Sequence, residues 1–175
     1  MITFSLSKDG IAVEGEQVKL VVFPSAAISG TWSLLSGPRE ELEEKVISWP
    51  GEYDFDGVSI RAIGQEEGKR VSYTCAIEGV RCAFIDAPIS AWTEKELEGF
   101  GEIDVLCIKA DNSKNVVPLL EEVDPRLLLI APSEEEKGIA ALVKACGGAA
   151  GEPVAEYKVK SGALPEGTRQ VVVLR

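Results

Sequence analysis

The chain has 175 residues, 45% hydrophobic and 27% charged, which suits one domain with a proper core and excludes a disordered polar chain. Its formal net charge of −11 opposes phosphate backbones and anionic membranes, and no Lys/Arg run builds a local exception, so neither nucleic acid nor membrane is expected as a partner. Histidine is absent from all 175 positions, which removes the Ser-His-Asp triad, the Cys-His pair, a histidine general base and every imidazole-containing metal site.

The first elements in chain order are strands. Residues 2–6 alternate, 11–13 make a short run, and 18–23 form a strong β segment ending at Pro24. Neither a basic stretch followed by an apolar core nor a long apolar span occurs, so the expected location is the cytoplasm. Ser36-Gly37-Pro38 opens a predicted short helix over 39–45, with Leu42 and Val46 four apart on one side. The turn-rich WPGEYDFDG segment then leads to a strand over 58–63 and a polar turn over 64–69.

The hairpin VSYTCAI-EG-VRCAFI, residues 71–85, is the clearest in the chain, because Glu78-Gly79 supplies a residue that adopts positive φ. A two-residue turn there places Cys75 directly across from Cys82. With Cys107 and Cys146 they lie in apolar runs without CxxC spacing, the pattern of buried free thiols, although a disulfide or half a metal site at Cys75 and Cys82 stays open.

Beyond Asp86 helices alternate with strands. Thr93-Glu94-Lys95-Glu96 has capping-box spacing, 103–109 is an apolar strand, 116–123 is helical and 127–130 is a strand closed by Pro132. A second capping box spans 133–136. Behind it Ile139, Leu142, Val143 and Cys146 recur at helical spacing before Gly147. Strands over 154–159 and 170–174 complete the chain. Hairpins first and β-α-β-α-β afterwards predict an α/β sandwich in a single domain, 1–175.

Several pieces in order resemble one family. Gly51-Glu52-Tyr53, with Pro50 before and Gly57-Val58-Ser59-Ile60 after, is similar to a turn-and-strand segment of small metallo-β-lactamase-fold hydrolases related to UlaG. VSYTCAIEGVRCAFID resembles the hairpin that ends beside their metal-binding aspartate, and FGEIDVLCI and VDPRLLLIAP resemble two later strands. The resemblance covers residues 2–132 and implies a compact four-layer αββα sandwich. It also implies a site of metal-binding histidines that this chain does not have. The turn at 6–9, the stretch SAAISGTWSLLSGPREE, Gln65-Glu66 and Ala131-Pro132 all lack them. Asp86 is the position matched to the metal-bridging aspartate, with Ala87 the alternative register, and one carboxylate does not hold a metal pair.

The residual candidates are Asp86, Lys109 and Asp111, which converge at the carboxyl ends of the strands over 80–85 and 103–109 if those strands run parallel. The alternative is a solvated strand end with an ordinary ion pair. Glu52, Asp54 and Asp56 offer oxygen ligands of the kind calcium takes, but without EF-hand spacing, and a structural hairpin with Tyr53 and Phe55 packed inward is the stronger reading. Trp49 is expected to fill the emptied pocket and Trp32 to offer an exposed contact. The expectation is a non-catalytic binding or assembly subunit, homo-oligomeric or bound to a protein partner, with no cofactor. The alternative is a hydrolase of small esters or phosphoesters with a rebuilt, non-histidine centre.

Overall fold

Strict alternation in the first strand decides how the first sheet lies. In β1 (Ile2–Ser7), Ile2 and Phe4 are fully buried while Thr3 and Ser5 are only partly covered. The computed structural model describes residues 1–8, 10–133, 138–149 and 151–175. β1 pairs with β2 (Gly10–Glu14), which pairs with β3 (Lys19–Val22), both antiparallel. β4 (Trp32–Leu34) and β5 (Val46–Ile47) add in parallel, and the late strand β12 (Glu156–Val159) closes the other edge beside β1.

The second sheet has seven strands. β6 (Gly51–Phe55), β7 (Val58–Gln65), β8 (Arg70–Ile77) and β9 (Val80–Ile85) form an antiparallel meander. β10 (Val105–Lys109), β11 (Leu127–Ala131) and β13 (Gln170–Val173) continue it in parallel from β9, in the order β13-β11-β10-β9-β8-β7-β6. The expected hairpin forms with Glu78 at φ 47° and Gly79 at φ 77°, the positive pair a two-residue turn requires, and Cys75 faces Cys82 in register. All four cysteines are buried free thiols.

The sheets stack on a core that includes Phe4, Val13, Leu20, Tyr73, Phe84 and Leu129. Each such aliphatic or aromatic side chain contributes roughly 1.5–3 kcal/mol by leaving water. A second core lies on the far side of the second sheet. There Leu106, Ile108, Leu128 and Ile130 pack against α2 (Ser113–Val123) and α3 (Ile139–Ala145), with Leu97 of α1 (Glu94–Glu98) at its margin. β10 and β11 are therefore buried on both faces, which is why they read as unbroken apolar runs.

The α/β sandwich expected from the sequence is the architecture found, with two stacked sheets; of the four layers expected, the helix layer outside the first sheet does not appear among the described residues. Its described helices all lie on the second sheet. The capping box at Thr93 and Glu96 forms as predicted, whereas the one predicted over 133–136 falls largely outside the described residues. No helix forms over 39–45: this stretch is bends and a turn, ending where Lys45 takes φ 59°. Leu42 is 94% exposed, so it provides no apolar stripe, and Glu40, Glu41, Glu43 and Glu44 repel one another along so short a segment. Among the described residues no helix is long and apolar enough to cross a membrane.

Candidate functional site

β9 and β10 run parallel with Ile85 beside Ile108, so the next residues, Asp86 and Lys109, emerge side by side. The Lys109 Nζ lies 3.5 Å from Asp86 Oδ1 and donates to the carbonyl of Phe23 at 3.3 Å. Asp86 Oδ1 also accepts from the amide of Ala87 at 3.0 Å. Behind the pair Arg70 donates to the carbonyls of Asp86, at 2.9 Å, and Pro88, which holds the end of β9 in place. Asp111 does not join them. It turns to the neighbouring loop, where its carboxylate accepts from the amides of Ile89 and Asn112.

Asp86 and Lys109 form the floor of a cleft of about 340 Å³. One wall is the end of β3 at Phe23 and Pro24, and the other is the segment from Leu35 to Arg39. Both walls are fixed by backbone bonds: Phe23 donates to Leu34 at 2.8 Å, Leu35 to Ile47 at 2.9 Å and Val71 to Ser36 at 2.9 Å. The buried Tyr73 hydroxyl donates between the carbonyls of Leu35 and Ile47, and burial pushes its phenol far above the usual range, so it remains a donor. Phe23 holds φ 56°, a left-handed conformation that is costly for a bulky side chain. That turn presents its carbonyl to Lys109.

Sequence reasoning reached Asp86 and Lys109 through their strand-end positions. It missed Arg70, the Phe23 carbonyl and the Tyr73 clamp. A tyrosine in the middle of a buried strand was the available signal, since a buried hydroxyl needs a partner. Neither tryptophan takes its expected place. Trp49 is half exposed, donating to the Arg39 carbonyl at 2.8 Å, while Trp32 stacks on Phe55 with ring centroids 3.7 Å apart. Tyr53 and Phe55 do pack against the inter-sheet core.

The acidic turn is internally satisfied: Arg61 holds Glu52 at 2.9 Å, Ser59 donates to Asp54, and the Trp32 indole donates to Asp56 at 3.1 Å. A larger cleft of about 460 Å³ lies on the outer face of β6, β7 and β8, but its arginines are spent in the same way. Arg61 is on Glu52, and Arg81 is on Asp104 and Glu102.

Among the described residues no three His, Cys, Asp or Glu side chains gather to hold a metal ion. Burial pushes the Cys107 thiol up, and a hydrogen bond with Cys75 together with burial does the same for Cys82, so neither supplies a thiolate. At the cleft itself Asp86 is met by the Lys109 ammonium and the Ala87 amide, and the Phe23 carbonyl accepts from the same ammonium. This set does not fit a dinuclear metal centre.

This geometry belongs to a sandwich of known type. A proposed zinc-dependent hydrolase of the metallo-β-lactamase superfamily from Thermotoga maritima (TM0207) superposes with a TM-score of 0.73 at 17% identity, over 99% of each chain. The metallo-β-lactamase fold protein YhfI from Bacillus subtilis gives 0.62 at 9% identity, over 99% of this chain and 96% of that one. The chain thus has the metallo-β-lactamase fold, and at these identities the likeness is one of fold. No protein-family model and no curated protein matches the sequence.

Proposed function

We propose that this protein is a UlaG-like metallo-β-lactamase-fold chain that has lost its metal-binding histidines and serves as a binding or assembly subunit. The observation that carries this reading is the Lys109 ammonium, bonded to the Phe23 carbonyl and 3.5 Å from Asp86. At the position matched to the metal-binding aspartate, the carboxylate faces a side-chain cation. Among the described residues a metal-activated hydroxide has no ligand set from which to form. The rebuilt-hydrolase alternative would use Asp111 beside Lys109, and Asp111 is committed to the backbone amides of Ile89, on the neighbouring loop, and Asn112.

An assembly role draws on the edges of the two sheets. β12 ends one sheet and β13 ends the other, and edge strands offer unpaired backbone groups to a second copy. A homo-oligomer in the cytoplasm, with no resident cofactor, is the form proposed.

Elemental analysis of protein purified without chelator, run with light scattering, tests this. The expected result is no stoichiometric zinc or manganese and a mass above that of one chain. Stoichiometric metal that is lost in Asp86→Ala would overturn the proposal.

A further inference from the structure

The cleft above Asp86 and Lys109 is built to take something smaller than a protein. We infer that it binds a small oxyanion, the carboxylate or phosphate group of a polar metabolite, on the Lys109 ammonium with Arg39 closing from the rim. This deepens the binding role proposed above and rests on it.

Charge is the first argument. Among the described residues lining the cleft, Lys109 and Arg39 are cationic and Asp86 is anionic, with Glu43 paired to Arg39 at the rim, so two cationic groups are set close together in a chain of net charge −11. An anion that reaches the cleft meets both cations directly.

Unused bonding capacity is the second. An ammonium carries three donors. Two of the Lys109 donors are directed to Asp86 and Phe23 at the long distances of 3.5 and 3.3 Å, which leaves a third. Among the described residues the Arg39 guanidinium meets only Glu43, at 3.3 Å, with both side chains at least 40% exposed. Such a pair is worth little and yields readily to a better acceptor. A carboxylate or phosphate between the two cations gains charge-assisted hydrogen bonds that neither makes at full strength at present.

Preorganisation is the third. The wall bearing Arg39 is fixed through the Tyr73 hydroxyl and by the Arg39 amide, which donates to Ser48 Oγ at 3.1 Å. The Phe23 carbonyl is aimed by a strained backbone at φ 56°. Strain of this kind persists where the surroundings enforce it, and binding sites are where it gathers. A volume of about 340 Å³ is at the small end of ligand pockets. Ordering already completed in the free protein need not be repeated on binding.

The test is an amide-shift titration of the full-length protein at low ionic strength, with inorganic phosphate in one arm and malonate in the other. Sodium chloride at matched ionic strength is the control. Saturable shifts are expected at Phe23, Ser36, Gly37 and Lys109. Saturation by phosphate alone assigns a phosphate-bearing ligand, and saturation by malonate alone assigns a carboxylate.

Lys109→Met is expected to weaken binding at least about tenfold and Arg39→Gln about threefold, the losses that removing a charge-assisted bond brings. Lys158→Met, a surface charge removed from the first sheet, leaves it unchanged. Failure of both anions to saturate, or full binding by a folded Lys109→Met and Arg39→Gln, overturns the inference. A metal found in the purified protein would instead overturn the non-catalytic reading, so the two failures are distinct.

Discussion

At the amino ends of β9 and β10 Asp104 is joined to Arg81; at the carboxyl ends of the same strands Asp86 faces Lys109. The first pair is fully engaged. Asp104 accepts from the Arg81 amide and Nε, each at 3.0 Å, and from Nη2 at 2.9 Å. Its own amide donates to the Arg81 carbonyl, and its carbonyl receives the amides of Arg126 and Leu127. Three strand starts are thereby tied to one aspartate. The second pair stands 3.5 Å apart beside a cleft, and its lysine retains bonding capacity. Satisfied pairs hold a fold, and under-used pairs at the carboxyl end of parallel strands are where a ligand is bound.

Asp104→Ala tests the amino-end clamp, with the larger effect of the two pairs. It strands the Arg81 amide and removes three hydrogen bonds to a buried carboxylate, which costs about 2–3 kcal/mol after allowing for the exposure of the guanidinium. A chemical-denaturation midpoint reads this directly. The same group makes an acid signature. Arg81 bonded to Asp104 holds its carboxyl below the usual carboxylate range, so the unfolded chain takes up the proton more readily. That contribution is complete above the ordinary aspartate pKa near 4 and is lost as pH falls through the lower folded value. Asp104→Asn should flatten the loss of stability below about pH 4. An unchanged acid slope would mean that other carboxylates govern it.

Between the clamps lies Tyr73. Tyr73→Phe removes the donor shared by the Leu35 and Ile47 carbonyls; Ile47 keeps the Leu35 amide, and the lost bonds cost about 1–2 kcal/mol. Because this hydroxyl fixes the cleft wall, the variant should also weaken anion binding while leaving the Asp104 acid slope intact. Lys109→Met at the open end is expected to cost about 1 kcal/mol or less, since Asp86 keeps the Ala87 amide and partial access to water. A loss as large as that of Asp104→Ala would place the two pairs in one structural class and remove the contrast.

The extent to which this was legible follows from period. Alternation in TFSLS and in the hairpin over 71–85 specified strands and their buried faces, and the unbroken LLLI and VLCI specified strands covered on both sides. Parallel pairing of β9 with β10 then made Asp86 and Lys109 neighbours, because strand-end residues in register must meet. The acidic segment over 39–45 misled because helix spacing of two apolar residues says nothing about whether anything lies beneath them. Asp111 misled for a related reason. Two residues past a strand end, direction belongs to the loop, and the Ile89 amide claims it. Partners contributed by main chain, such as the Phe23 carbonyl, leave no trace in residue identity.

The smallest expected effect concerns the face of the first sheet on which no described helix lies. Ser5 of β1 points to that side, with Ala12 of β2 and Glu156 of β12 as its register partners. Ser5→Lys should change stability by less than about 0.5 kcal/mol, because a lysine there reaches water and gains at most a weak cross-strand pair with Glu156. The equivalent change on β11, Leu128→Lys, would bury a charge between sheet and helices and prevent folding. Light scattering on Ser5→Lys adds the decisive reading. If the oligomer survives, assembly uses the sheet edges at β12 and β13. If the protein becomes monomeric with its stability intact, the second copy lies across this face beside Ser5.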